Sequence, residues 1–544
     1  MTQLNSPIVS PFVKCVNRFY HASLIESKSV NSPNYEDGAD SVWRIIGKPM
    51  WLGFASMCLV VLGAIQPASP FTLKLPGAWF FGISSQSLLT NPITSPSIGL
   101  FIGLVGGYVG LIIFIRAWWS LHKKVTLKPG IPIKYLAYVA ILWTLPLLMS
   151  PPLFSRDSYS YAAQGEMASR GISPYHYGVS ILGANANVYF NQVDRLWQNT
   201  PVPYGPLDLS ISSLIMDISH HVELISIVLL RLVMGLAGVV LAAACFPIIA
   251  RKLRVDPARA FVFGILNPIT LIHLIGGIHN DGLMVGFLVA GVAMAFSNRP
   301  VIGIGLCAIA ALIKAPALLG VAFIGWNWPG AGSNYVERFK YLIYSGIISI
   351  VVMFLVTWPT GYGWGWVKVL NAPDSVESWL SPITVLAEGV IRLIDGIGLN
   401  VSSDLIMVIF RDTGTALSLL IALFLLLNSH KTEWINNLGI SFVIIVMLSP
   451  VVQPWYLSWG FMILSFTSKG KFRKFAMVLA VISTFFGLPG GKTFVKQLVI
   501  SSPFLLVPSA LILLVVLFAP VIPWYFRVNR VLKDQTGNQV SVVS

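Results

Sequence analysis

The chain is 544 residues long, 55% hydrophobic and only 10% charged, with a mean hydropathy of +0.76. Soluble domains carry about 25% charged residues, so a soluble globular protein is excluded. The formal charge of +15 then reads as the Lys and Arg excess of cytoplasmic loops in a polytopic membrane protein, not as a nucleic-acid footprint.

Residues 1–43 are rich in Ser, Asn and charge and lack a long apolar core, so they do not read as a cleaved signal peptide. The expectation is a flexible cytoplasmic tail over 1–48. Of the cysteines, Cys15 lies in the tail and Cys58, Cys245 and Cys307 lie in apolar runs. No disulfide framework, CxxC pair or zinc spacing is present.

Spanning helices need roughly 20 apolar residues. Candidates fall at 49–67, 97–118, 132–150, 222–249, 260–276, 282–297, 341–358, 413–427, 437–451, 455–467, 474–488 and 502–523. The run 301–327 carries Lys314 at its centre beside Pro316. Read as one span, it places Lys469, Lys471, Arg473 and Lys474 outside. Read as two short helices hinged at Lys314-Ala315-Pro316, it keeps that cluster inside, as the charge rule requires.

The expected architecture is therefore an all-α polytopic membrane protein with about 13–14 transmembrane or re-entrant helices. The membrane domain covers 49–523, a cytoplasmic tail covers 524–544, and both termini are cytoplasmic. Two long outer segments, 151–221 and 359–403, place the working surface outside the cell. An amphipathic stretch at 376–396 is expected along the interface. No repeat with a period of 20–50 residues is visible.

The segment 154–178 packs two arginines, two carboxylates and several aromatic rings directly after the third span. Asp157 reads either as a helix N-cap or as a general base. Lys314 reads as a snorkelling side chain or as a cation holding a lipid-linked phosphate. Arg156, Arg170, Arg392 and Arg411 are further outer cations suited to phosphate. His279-Asn280-Asp281 forms a tight outer corner, read as turn and cap residues or as sugar and phosphate contacts. A metal held by His279, Asp281, His220 and His221 lacks ligand spacing. Gln453-Pro454-Trp455-Tyr456-Leu457-Ser458-Trp459 and the run 361–366 read as interfacial belts or sugar-stacking surfaces. Gly490-Gly491-Lys492-Thr493 resembles the end of a phosphate-binding loop, but Phe486 stands where the required Gly would be.

One base, a phosphate-holding cation and stacking aromatics at one surface suggest glycosyl transfer from a polyprenyl-phosphate sugar. Glycosidases generally need two carboxylates, whereas a phosphate leaves readily once a cation meets its charge. An external site favours a lipid-borne donor over a nucleotide sugar.

Five motifs carry a family resemblance: the run from Arg156-Asp157-Ser158-Tyr159 to Gly165, Pro203-Tyr204-Gly205-Pro206, His279-Asn280-Asp281, Ile313-Lys314-Ala315-Pro316 and Gln453-Pro454-Trp455-Tyr456. Together they resemble the polyprenol-phosphate-mannose-dependent α-(1→6)-mannosyltransferases of MptA/MptB type, over about residues 95–520. The resemblance implies a GT-C membrane glycosyltransferase building the mannan of lipomannan and lipoarabinomannan. It implies Asp157 as base and inversion of a β-linked donor.

On the reading of the residues themselves, Lys314, Arg156 and His279 are expected to hold the donor phosphate. Tyr159, Tyr161, Gln164, Tyr204, Asn280, Asp281, Gln453, Trp455 and Tyr456 are expected to contact sugar or acceptor. No metal or other cofactor is expected. The partners are polyprenyl-phosphate-mannose, a lipid-anchored mannan acceptor and membrane lipids, with no nucleic acid. In many GT-C enzymes the catalytic Asp follows the first span, and here it follows the third, so Asp157 rests on its motif. A transferase of arabinofuranose or glucose shares this chemistry. A lipid-linked saccharide transporter would need paired inverted repeats, and only one hinged pair is visible.

Overall fold

The computed structural model describes residues 39–66, 69, 96–183, 189–370, 380–399, 401–429, 433–486 and 506–518. Residues 1–38 of the expected tail 1–48, the expected tail 524–544, part of the span 502–523 and the Gly490–Thr493 motif lie outside the described residues.

Among the described residues the chain is helical with no strand. In chain order the helices are α1 (Ala39–Ala64), α2 (Pro96–Leu127), α3 (Ile133–Leu148), α4 (Asp157–Ser169) and α5 (Pro206–Ile218). Next, α6 runs over Glu223–Leu253 with a π-helical stretch at Arg231–Ala237. It is followed by α7 (Pro257–Gly264), a π-helical segment (Ile269–Gly276), α8 (Asp281–Phe296), α9 (Pro300–Ala311) and α10 (Leu318–Asn327). The remainder are α11 (Tyr335–Thr357), α12 (Pro382–Gly396), α13 (Ser403–Leu427), α14 (Glu433–Leu448), α15 (Leu457–Thr467), α16 (Gly470–Thr484) and α17 (Leu506–Phe518).

Five helices are long and apolar enough to cross a membrane, and a sixth crossing arises if α7 and the π-helical segment, bent by 51°, form one span. The other apolar helices are 10–17 residues long. Several of these short helices pair into hairpins. At 301–327, α9 ends at Ala311, a 3-10 turn spans Ala315–Ala317, and α10 folds back. A Cβ on Gly320 would lie 2.9 Å from Cys307 Sγ, which fixes the two helices side by side. The expected hinge at Lys314 is thus present. A second hairpin, α14–α15, has the same construction, with the turn Pro454–Tyr456 at its corner.

Two helix starts differ from expectation. The first helix starts at Ala39, inside the expected tail, because Val42 and Ile46 are buried against the bundle and Trp43 packs edge-on to Tyr135. The span expected at 413–427 starts at Ser403, where the Ser402 hydroxyl accepts the Leu405 N–H as a cap. Arg411 therefore lies inside a candidate span, not in an outer loop. Within the segment 151–221, α4 and α5 pack against each other.

At the core of the bundle α6 and α8 approach with almost no side chain between them. A Cβ on Gly238 would sit 2.1 Å from the Gly282 carbonyl, and one on Gly286 2.4 Å from the Gly238 carbonyl. Small residues permit such backbone contact between membrane helices. This close pairing holds the start of α8, and with it residues 279–281, in one place.

Candidate active site

Asp157 opens α4, and the local backbone leaves its carboxylate free of capping duty. Phe154 takes the left-handed conformation at φ 62°. The Ser155 hydroxyl then accepts the Asp157 N–H at 3.0 Å. The N-cap is Arg156, whose side chain makes no capping bond. The capping role for Asp157 is thereby set aside.

The loop before Asp157 is tied to the 276–279 corner through the Leu153 N–H, which donates to the Gly276 carbonyl at 3.0 Å. This crossing brings His279 Nδ1 to 3.3 Å from Asp157 Oδ2, a long contact short of a formed hydrogen bond. His279 is fully buried, while the Asp157 side chain is 22% exposed. The imidazole stacks on Trp455, with centroids 3.7 Å apart and planes 17° apart.

Neither of the next two corner residues caps α8 with its side chain. Asn280 donates to Asp208 Oδ1 at 2.9 Å and accepts from the Tyr161 hydroxyl at 3.3 Å. Asp281 takes the Lys314 ammonium on both oxygens, at 3.0 and 2.8 Å, and the Trp459 indole N–H at 2.6 Å. The ammonium sits 4.4 Å from the Tyr456 ring centre and 5.6 Å from those of Tyr204 and Trp459. Lys314 is only 8% exposed, so the snorkelling reading fails. The residue before it is held by the Tyr204-Gly205 turn, where the Gly205 N–H donates to the Ile313 carbonyl at 3.3 Å.

All five motifs therefore converge at one end of the bundle. The turn needs Gly205 for close approach, since a Cβ there would lie 2.1 Å from the Leu312 carbonyl oxygen. Gly205→Ala is expected to destabilise the protein by about 1–3 kcal/mol and to displace Lys314. A lower thermal midpoint in detergent, with reduced activity in the surviving fold, checks this.

Burial alone would raise the Asp157 carboxyl. The His279 contact, the charges of His279 and Lys314 and the Ser155 hydroxyl outweigh it and hold the group below the ordinary carboxylate value. Burial raises Asp208 to about 7, with Asn280 and Lys314 pulling the other way. A carboxyl raised on folding stabilises the fold fully only below its unfolded value near 3.8, and that stability is lost as pH climbs to about 7. Asp208→Asn is expected to flatten the fall in thermal midpoint between those values. An unchanged pH profile of unfolding would refute it.

Not every expected residue joins the cluster. Tyr159 is two residues from Asp157, about 200° round the helix, and Arg156 lies in reach of Tyr159, Asp194 and Arg195. Gln164 shares the Asp157 face two turns on, buried with Oε1 unpartnered. Gln453 precedes the turn that presents Trp455 and Tyr456. Arg170 pairs with Glu166, and Arg392 lies exposed 3.9 Å from Glu388. His221 contacts Glu166, so it stands apart from His279 and Asp281. Of the 361–366 run, Gly365 packs on Tyr175. Among the described residues no three His, Cys, Asp or Glu side chains gather as a metal site.

Sequence reasoning missed Asp208, and it placed Trp459 in the 453–459 corner without its tie to Asp281. Asp208 carried a weak signal, a lone carboxylate three residues after the Tyr204-Gly205 turn. Trp459 carried a better one, a second indole one helical turn beyond Trp455.

Fold and site together define an all-α polytopic membrane glycosyltransferase. A family profile described as alpha-(1->6)-mannopyranosyltransferase, N-terminal domain, matches residues 50–330, and one for the MptB C-terminal domain matches 383–507. A probable alpha-(1->6)-mannopyranosyltransferase of Mycolicibacterium smegmatis is 31% identical, covering 80% of this chain and 82% of its own length. An alpha-(1->6)-mannopyranosyltransferase of Mycobacterium tuberculosis is 28% identical over 80% and 81%, and alpha-(1->6)-mannopyranosyltransferase B of Corynebacterium glutamicum 29% over 75% and 74%. No solved structure matches. The chain belongs to the MptA/MptB family of α-(1→6)-mannopyranosyltransferases and is a multi-pass membrane mannosyltransferase.

Proposed function

We propose that the protein moves mannose from polyprenyl-phosphate-mannose to the 6-hydroxyl of a lipid-anchored α-1,6-mannan, in lipomannan and lipoarabinomannan synthesis. The reaction takes place at the outer face of the membrane, with both termini cytoplasmic. The observation that carries this reading is Asp157: ionised, partly exposed, free of capping and set against His279.

In the proposed step Asp157 accepts the proton of the acceptor hydroxyl as its oxygen attacks the anomeric carbon of a β-linked mannosyl phosphate. The C1–O bond to phosphate breaks on the opposite face, the phosphate leaves with the electron pair, and the product is α-linked. Asp157 then releases the proton to water. The phosphate departs as a stable anion, so no acid partner is required, and the reaction runs on these groups without a metal or other cofactor.

His279 orients the Asp157 carboxylate. Lys314 supplies positive field from behind it, its own charge matched by Asp281. The Trp455, Tyr456 and Tyr204 rings give apolar faces on which sugar rings stack.

The test is an assay with radiolabelled polyprenyl-phosphate-mannose and a short α-1,6-mannoside acceptor. The expected product is an elongated chain cleaved by α-1,6-mannosidase. Equal transfer from polyprenyl-phosphate-arabinofuranose or from GDP-mannose would overturn the donor assignment. A reporter fused at Lys471 that reads outside would overturn the sidedness.

A further inference from the structure

Arg231 is a buried charge for which the proposed reaction has no use. It sits inside the candidate span Glu223–Leu253, at the start of the π-helical stretch, and is 1% exposed. Its Nη1 donates to the Leu148 carbonyl at 3.0 Å, while Nε and Nη2 have no hydrogen-bond partner. Charged residues within spans are costly and mark functional sites. π-helical bulges are themselves frequent at such sites.

The surroundings extend the pattern. Leu148 ends α3, and the chain leads from there to Arg156 and α4, which packs on the first turns of α6. Tyr159, 5% exposed and with its hydroxyl unpartnered, lies within electrostatic reach of Arg231, Arg156 and Glu223. Arg156 Nε is likewise buried without a partner. Glu223 opens α6 two turns before Arg231, about 12 Å of helix rise away, and makes no ion pair with it.

We propose that Arg231, Arg156 and Tyr159 form a phosphate site on the face of α4 opposite Asp157, which holds the phosphate ester of a membrane lipid. Nε and Nη2 make up one edge of the guanidinium fork, the edge that takes two phosphate oxygens side by side. Nη1, on the other edge, is anchored to the helix end. Tyr159 adds a hydroxyl donor and Arg156 a second positive charge. A site walled by spanning helices suits a phosphate that carries a hydrocarbon tail. Only the choice of lipid rests on the proposed function, and binding is read without turnover, so the two readings fail separately.

The experiment uses the full chain in dodecyl maltoside micelles, which carry no phosphate. Undecaprenyl phosphate is expected to bind at least tenfold more tightly than undecaprenol. Arg231→Lys and Tyr159→Phe each remove most of that preference, and Tyr159→Phe covers the case in which the arginine variant misfolds. Asp157→Asn retains it. Displacement by phosphatidylglycerol or by inorganic phosphate upholds the site and identifies which phosphate source fills it. Equal binding of alcohol and phosphate, or an unchanged preference in both folded variants, overturns the proposal.

Discussion

Asp157→Asn is expected to cut mannosyl transfer by about 10²–10⁴-fold, the usual contribution of a positioned base. The carboxylate does not cap α4, and an Asn amide oxygen in its place can still face His279 and Ser155. The variant therefore folds with a thermal midpoint close to that of the wild type. Because Asp157 is held below the ordinary carboxylate value, it is ionised across the neutral range, and activity is lost only when acid protonates it. The measurement is single-turnover elongation of an α-1,6-mannoside beside the unfolding curve. Transfer at the wild-type rate by the Asn variant would remove Asp157 from the reaction.

The second large effect concerns stability. Lys314→Met leaves the Asp281 carboxylate buried with one indole N–H as its remaining donor. Breaking a buried ion pair from one side costs about 3–5 kcal/mol. Asp281→Asn strands the ammonium, partly eased by the Tyr456 ring. The double variant Lys314→Met with Asp281→Asn is expected to recover much of the lost stability, because no uncompensated charge remains, yet to stay inactive because the field behind Asp157 is gone. A double variant that is both stable and active would show that the pair serves folding alone. Thermal unfolding and elongation assays on all three variants decide between these outcomes.

The motifs were legible because polar residues in a chain this apolar stand out, and all five meet at one end of the bundle. The break at Lys314 was legible too, since Pro316 ends a helix run and the charge rule demanded a turn. The pairing of those residues was not legible. Lys314 is 33 positions from Asp281, and Trp459 is 178; only the crossing of hairpins brings them together. The split between Asp157 and Tyr159 follows from helical period alone, yet the motif's compactness made the two look like one cluster. The onsets at Ala39 and Ser403 were read late because Arg44, Lys48, Arg411 and Asp412 interrupt the apolar pattern.

The hairpin α14–α15 has a consequence for how the enzyme is made. Chains emerge N-terminus first, so Asp157, His279 and the Lys314–Asp281 pair are all in the membrane before residue 453 leaves the ribosome. Of the residues gathered at this end of the bundle, Trp455, Tyr456 and the Trp459 indole that secures Asp281 are delivered last. A nascent chain that stalls before that hairpin already holds the proposed base and Tyr204, but lacks two of the three rings proposed to stack a sugar. On the proposed mechanism, the site is therefore completed late in synthesis, by the hairpin α14–α15.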